Sequence, residues 1–522
     1  MDQFNNIPKE KFEFANHSNF SHEKKLKTKP VGYFQDAFRR FKKNKGAVVA
    51  ACIIIFLILF AIIAPFCTQY TVSYSDIYFK STRPKLKLFE NTNFWDGCEK
   101  KNTGKLDFMY YYAMGLESGH NAIKNQEYTI DEEGKYNYRL DSYHQIGVIY
   151  KNISDEEYKL IQDYQNRTGR QVIYPTVKLA DRPKALQDQT NANYYYKTSG
   201  TSKTQIVYDD DGNIQPVYWT YVDGEKGGSY YDPNDQYDSI RIKGDNYVGE
   251  DGRTYSYAYA RVTSSGWECR INYYEYYIFQ HTEVLKDGIK EPYFIFGTTG
   301  NGKDILTCLA SGARFSFIFA TLVAVVNLVM GAIYGAIAGF YGGKIDLVME
   351  RISDILSAVP TMIVITLLKL HMGSASQMIT LFIAFIFTGW IGMASSTRMQ
   401  FYRYKRQEYV LAARTLGASD IRLMFKHIFP SAIGTLITGC ALVIPSMIYS
   451  ETNLSYLGII NLETGSITSV GTLIAAGQAS LQSAPFIAFF PSLFLVLLML
   501  SFNLFGNGLR DAFNPSLRGS EG

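Results

Sequence analysis

Cysteine and histidine are scarce in this chain, six and seven among 522 residues. The cysteines form no C-x-x-C pair and join no histidine at metal-ligand spacing, which excludes a zinc module and a disulfide-framework domain. Cys52 and Cys440 fall in apolar runs and Cys67 and Cys308 flank them. Cys98 and Cys269 sit in polar sequence, where a Cys98 to Cys269 disulfide would suit an oxidising exterior. His120, His144 and His281 are too scattered to outline a catalytic constellation. No catalytic and no metal-ligating residue is therefore expected. No cleavable leader is expected at the start of this sequence either, since Met1 to Lys29 is polar and unpatterned and reads as a tail. Between Tyr70 and Gly300 no apolar run reaches the length of a membrane span.

What the chain does contain is apolar sequence gathered in two places. Hydrophobic residues make up 47% of it, an average that would pass for a soluble protein, yet they concentrate in residues 46–66 and 315–505. Gly46 to Phe66 is uncharged and about long enough to cross a hydrocarbon core, and Lys42, Lys43 and Lys45 precede it. Basic residues stay on the inner side, so residues 1–45 are expected in the cytoplasm and Cys67 outside. Tyr33 to Phe41 reads either as an amphipathic helix on the inner membrane surface or as a plain basic anchor. Taken alone, the first run also suits a membrane-anchored outer receptor or enzyme, a reading the later runs oppose.

Residues 67–300 differ in character. From Tyr70 to Gly300 the chain holds 32 of its 40 tyrosines, and 27 Lys+Arg against 33 Asp+Glu, leaving 25 against 15 elsewhere. The basic excess belongs to the membrane-embedded part, where it speaks for orientation and not for nucleic-acid binding. An inserted extracytoplasmic domain, mainly β or α+β, is expected. Two stretches, 205–224 and 245–262, alternate aromatic or β-branched residues with polar ones around Asp-Gly turns. One helix is expected from Asp155 to Asn166, capped by Ser154. Asp209 to Asn213 lacks calcium-ligand spacing and reads as a hairpin turn. The tyrosine-rich strands suit either a small β-core or a surface on which a ligand stacks.

Residues 301–505 supply further spans. Phe315 to Phe340 carries Gly331, Gly335 and Gly339, a small-residue stripe that lets helix backbones approach. Tyr341 to Asp354 reads as a short inner loop, Ile355 to Leu368 with Pro360 as a broken span, and Met378 to Ala394 as its return. Ser431 to Ser450 and Pro485 to Leu504 complete six, with Pro445 and Pro491 as kink candidates. The link between the last two has no Lys or Arg, and its apolar middle suits a half-inserted helix. Residues 506–522 form an inner tail. Gly297, Gly302 and Lys303 fit the G-x-x-x-x-G-K of a phosphate loop, but Asp304 occupies the Ser/Thr position and the segment is expected outside, away from cytoplasmic ATP.

The segment Arg398 to Pro430 carries seven Lys+Arg between apolar runs. Glu408 to Leu416 are good helix formers, Gly417 ends that helix, and Ser419 is placed to cap a second short one before Pro430 opens the next span. Leu411-Ala412-Ala413, three residues, Gly417, nine residues, then His427 to Pro430 resembles the EAA loop of ABC importer permeases, departing at Leu411, His427 and Phe429. The wider wording is similar to the C-type permease subunit of oligopeptide and dipeptide importers. The stretches from Phe296 to Ser316, Tyr341 to Asp354, Glu451 to Gly458 and Asn503 to Pro515 also resemble that family.

The resemblance implies an all-α polytopic membrane protein with the six-helix ABC importer permease fold, in the plasma membrane with both termini cytoplasmic. It implies that Glu408, Leu411, Ala412, Ala413, Arg414, Gly417, Ala418, Ser419 and Pro430 dock an ATPase subunit. It further implies a second, similar permease subunit, two cytoplasmic ATPases that hold ATP and Mg, an extracytoplasmic peptide-binding protein, and a peptide as cargo. The chain itself would bind no cofactor and perform no chemistry. Within the family, dipeptides, nickel chelates and oligosaccharides are the other cargoes to consider.

Overall fold

The computed structural model describes residues 33–513, apart from 91, 105–106, 109–110, 113–119, 171, 174–197, 200–204, 207–218, 223–224, 230–245, 249–253, 257–259, 264–265, 373–376 and 464–467. The tail Met1 to Lys29, the Asp209 to Asn213 turn and the residues after Phe513 lie outside the described residues. Helix α1 (Tyr33–Lys43) is amphipathic: Ala37 and Phe41 are buried, while Phe34 and Phe38 are exposed. Asn44 ends it and caps α2 (Lys45–Cys67), its side chain accepting the Ala47 N–H at 3.1 Å. Ala47, Ala50, Ile54, Leu57 and Ala61, three and four residues apart, form the only buried stripe of α2. The other faces stay apolar and exposed, as a span against lipid requires.

After α2 the described residues form four small antiparallel sheets. Strands β1 (Cys98–Thr103), β2 (Ile123–Ile130) and β3 (Tyr136–Asp141) pair in the order β1-β3-β2. Next come β4 (Val148–Ile153) and α3 (Asp155–Thr168), whose cap Ser154 accepts the Glu157 N–H at 3.1 Å. A two-stranded sheet joins β5 (Thr198–Ser199) to β6 (Gln205–Ile206). A four-stranded one, ordered β8-β7-β10-β9, uses β7 (Trp219–Val222), β8 (Glu225–Ser229), β9 (Asn246–Val248) and β10 (Thr254–Ser256). Finally β11 (Ala260–Thr263), β12 (Gly266–Asn272) and β4 pair in the order β11-β12-β4, and α4 (Tyr273–Phe279) follows.

Tyrosines Tyr70, Tyr143, Tyr164, Tyr273, Tyr276 and Tyr277 build a core with Phe79, Phe279 and Phe294. Their hydroxyls find buried acceptors, Tyr273 on Asp76 at 2.6 Å and Tyr143 on the Phe294 carbonyl at 3.3 Å. These tyrosines pack a core; the side chains of the tyrosine-rich stretches 205–224 and 245–262 lie outside the described residues. The expected Cys98 to Cys269 disulfide does not form. Cys98 opens β1 opposite Asp141, whereas Cys269 lies in β12 between Ala260 and Lys151, in a different sheet. Beside Cys98, the buried Asp96 accepts from Lys124 at 2.5 Å and Arg139 at 2.8 Å. Burial opposes the charge, but Lys124, the Cys98 N–H and Arg139 together hold this carboxyl below its ordinary value.

This inserted region leaves and rejoins the helices along one seam. Residues 76–85 and 294–302 run antiparallel: Asp76 N–H donates to the Gly302 carbonyl, Ser81 to Thr299, Thr298 to Thr82 and Lys85 to Phe294, all at 3.0–3.1 Å. Gly302 sits at φ +73, and a Cβ there would lie 1.7 Å from the Asp76 carbonyl oxygen. The glycines of the phosphate-loop pattern thus serve the seam. Lys303 pairs with Glu463 at 2.7 Å, and Asp304 caps the next helix through the Thr307 N–H at 2.8 Å.

That helix, α5 (Ile305–Tyr341), is ten residues longer at its start than its apolar run, because Asp304 rather than Phe315 nucleates it. Gly342 and Gly343, both at positive φ, then turn the chain. The expected inner loop at 341–354 is instead a helix, α6 (Gly343–Ser357), joined to α7 (Thr361–His371) across a 71° bend. Pro360 at the break has no N–H to continue α6. The eleven residues of α7, about 16 Å long, cannot cross a bilayer alone. Then follow α8 (Gln377–Tyr404), α9 (Glu408–Thr415), α10 (Asp420–Tyr456), α11 (Val470–Gln478) and α12 (Phe486–Phe513). Among the described residues five helices are long and apolar enough to span, and six if α6 and α7 count as one bent span. The short α11 sits against the end of α10, where the buried Glu451 accepts from Ser469 at 2.7 Å and Ser455 at 2.9 Å.

Helices α5 and α8 make the closest pair. A Cβ at Gly331 would meet the Trp390 carbonyl at 2.7 Å, at Gly335 the Ala394 carbonyl at 2.2 Å, and at Gly339 the Arg398 carbonyl at 2.7 Å. The stripe therefore lets one backbone lie directly on the other. Gly335→Val should separate the helices and cost about 1–3 kcal/mol, read as a lower unfolding midpoint in detergent; an unchanged midpoint would contradict backbone contact. Asp96→Asn should lower the midpoint at neutral pH. The stability from its depressed pKa is present above the ordinary carboxylate value and lost as pH falls through the depressed one, so variant and wild type should converge in strong acid.

Candidate functional site

The basic segment begins on a helix and not in a loop. Contact along the glycine stripe carries α8 on past Ala394 to Tyr404, so Arg398 is helical; a three-residue turn leads to α9. Val410 is the one fully buried residue of α9, and it seats among Phe340 of α5, Phe401 of α8 and Leu423, Met424 and Ile428 of α10. Ala413 and Ala418 pack at the edge of that cluster.

The opposite surface is open. Glu408, Leu411, Ala412, Arg414, Gly417 and Ser419 are exposed, and Leu416 is 88% so. Ile421 and Phe425, on the first turns of α10, continue the apolar face, with Arg422 and Lys426 beside them. Leu416, Ile421 and Phe425 thus stand exposed on one surface, with guanidinium and ammonium groups beside them. Gly417 makes the turn at φ +84, its N–H donating to the Arg414 carbonyl at 3.0 Å, and no atom lies within 4 Å of where its Cβ would be. The Ser419 hydroxyl accepts the Arg422 N–H at 3.4 Å, capping α10. The second short helix expected there is not separate. It runs on through Leu423–Ile428, a π-helical turn, into the span that Pro430 opens, where the missing proline N–H removes one reason to keep α-helical spacing.

A polar clamp fixes this unit to the bundle. Asp346 of α6, 6% exposed, accepts from Arg398 Nε at 2.5 Å and Nη2 at 2.7 Å, and from the Tyr402 hydroxyl at 2.6 Å. Arg398 also reaches Glu350 at 2.8 Å. Lys405 Nζ donates to the Gly339 carbonyl at 2.8 Å, at the C-terminal end of α5 where a cation is favoured. Arg414 stands 5.5 Å over the Phe340 ring. The clamp thus joins α6 to α8, and Val410 joins α9 to α5, α8 and α10. Sequence reasoning did not find this clamp, because Asp346 and Arg398 lie 52 positions apart and each alone looks like one more charge at a helix end. Among the described residues no group of three or more His, Cys, Asp or Glu side chains is arranged to hold a metal.

Comparison with known proteins agrees with this picture. The family model of the binding-protein-dependent transport system inner membrane component matches residues 331–519, and that of the N-terminal TM domain of oligopeptide transport permease C matches residues 32–84. The oligopeptide transport system permease protein OppC of Bacillus subtilis is 43% identical over 223 residues, 43% of this chain and 72% of its own length. The dipeptide transport system permease protein DppC of Lactococcus lactis subsp. cremoris is 40% identical over 239 residues, 45% of this chain and 68% of its own. OppC of Escherichia coli (strain K12) is 36% identical over 223 residues, 43% and 72% of the two chains.

Replacing Asp346 by Ala should cost about 1–3 kcal/mol, below a fully buried pair because Arg398 is partly exposed and keeps Glu350. In a double-mutant cycle with Arg398→Ala the two losses should fall short of additive. Strict additivity of the unfolding midpoints would show that the clamp carries no coupling.

Proposed function

The chain belongs to the family of inner-membrane components of binding-protein-dependent transport systems, among the C-type permeases of oligopeptide and dipeptide importers; from that premise we propose that it forms half of the translocation path of an ATP-binding-cassette importer for oligopeptides. A second, similar permease subunit completes the path. Two cytoplasmic ATPases hold ATP and Mg and supply the energy, and an extracytoplasmic binding protein delivers the peptide. Both termini lie in the cytoplasm, and the inserted region between α2 and α5 is an extracytoplasmic domain of mainly β structure. Its position beside the seam suits a part that docks the binding protein or gates the outer mouth. Dipeptide as cargo is the second reading, favoured by the 40% identity to a dipeptide permease.

The observation that carries the proposal is the open surface of α9, seated through Val410 on α5, α8 and α10, with α6 tied to α8 behind them. Closure of an ATPase dimer pushes on Leu411, Ala412 and Leu416, and Val410 and the Asp346–Arg398 clamp pass that displacement to the bundle. The bundle then tilts between inward-open and outward-open states. Small side chains at Ala412 and Ala413 allow the partner close approach, and Glu408, Arg414, Ala418, Ser419 and Pro430 frame the contact.

Gly417 offers the test. A Cβ there meets nothing beyond its chain neighbours, so added bulk is directed at the exposed surface, while the left-handed backbone costs about 1–2 kcal/mol for Ala and Trp alike. In proteoliposomes holding the purified complex, Gly417→Ala should keep ATP-driven peptide uptake and Gly417→Trp should hydrolyse ATP without uptake. Equal uptake by the two variants would refute docking at this turn. Purification of the chain without ATPases, where a control importer stays assembled, would refute the importer itself.

A further inference from the structure

Where the inserted region meets the start of α12, the two enclose a cleft of about 400 Å³. Its walls are Phe94 and Trp95 on one side and Phe486, Phe489 and Phe490 on the other, with Arg83 at one end. The rim is open: Phe94 is 66% exposed and Phe489 57%, and Leu88 nearby is 80% exposed. Trp95 is held there at some expense, with φ +57, a backbone conformation bulky residues avoid. Its indole N–H turns inward to the Ile295 carbonyl, and its ring lies 5.5 Å from Phe490, which stacks on Phe296 at 4.2 Å. The polar atom of the tryptophan is thus satisfied by protein, and the rest of the ring is left as apolar wall.

The cleft is continuous with an exposed apolar side of a span. Phe489, Leu493, Val496, Leu500 and Leu504 are all exposed and recur three or four residues apart down α12. That stripe begins at the cleft and runs as far as Leu504. Aromatic rings at the end of a span lie at the level where head groups meet acyl chains. Arg83, the one cation lining the cleft, is engaged by Glu99 at 2.7 Å, so the site offers apolar walls more than a charge to an anionic head group. We propose that this cleft seats a membrane phospholipid, its glycerol and upper acyl segment lying between Trp95 and Phe489 and its tail following the exposed stripe of α12, whatever the charge of its head group. The site goes beyond the transport reading and does not depend on it. A lipid held there fills the joint between the inserted region and the bundle, so the two move as one body.

Trp95 is its own reporter. The full chain, with whatever partners co-purify, is placed in nanodiscs of phosphatidylcholine, either plain or brominated on the upper acyl chain, and the emission of wild type minus that of Trp95→Phe is taken as the Trp95 signal. Bromine quenches on contact, so loss of this signal in the brominated discs is expected, and a smaller loss for Phe489→Ala, which removes the wall facing Trp95. An unchanged signal in brominated discs would overturn the proposal. So would an equal loss in Phe489→Ala, since Trp95 would then touch only bulk lipid. A signal that responds to added extracytoplasmic binding protein and not to bromine would make the cleft a protein-docking surface instead.

Discussion

The contact of α5 with α8, backbone on backbone at Gly331, Gly335 and Gly339, is the constraint from which the working end of the molecule follows. With no side chain on α5 at these three positions, the backbones meet and fix the register of the two helices. That register brings Arg398 beside Asp346, Lys405 onto the Gly339 carbonyl, and Phe401 and Phe340 together as the floor on which Val410 rests. The loop at α9 is short on buried contacts of its own. It is rigid because the helices beneath it cannot slide.

Apolar runs and charge gave the membrane part of the fold directly, since a bilayer imposes length and excludes unpaired charge along a whole span. The local structure of the α9 segment was equally readable: its alanines, Gly417 and Ser419 form the helix, the turn and the cap through neighbours in sequence. Helix ends were less so. Asp304 starts α5 ten residues before its apolar run, and α8 continues through Arg398, because capping and helix contact outweigh polarity at the membrane edge.

What was hidden depends on distant partners. Nothing local distinguishes Asp346 from Asp354, yet only Asp346 faces Arg398. Nothing local says that Cys98 and Cys269 belong to different sheets, or that Tyr70, Tyr143 and Tyr273, so far apart in sequence, share one core. The joint at Trp95 needs α12, nearly 400 positions later, to exist at all.

The seam between residues 76–85 and 294–302 places the two ends of the inserted region side by side, hydrogen-bonded to each other before the chain departs and after it returns. A loop whose ends are already joined exerts almost no pull on what it leaves, and its closure entropy grows by only about 0.6 kcal/mol for each doubling of length. Evolution can therefore treat the appendage as a graft. Whole modules can be traded, enlarged or pared back at that junction, while the transport machinery below is inherited unaltered.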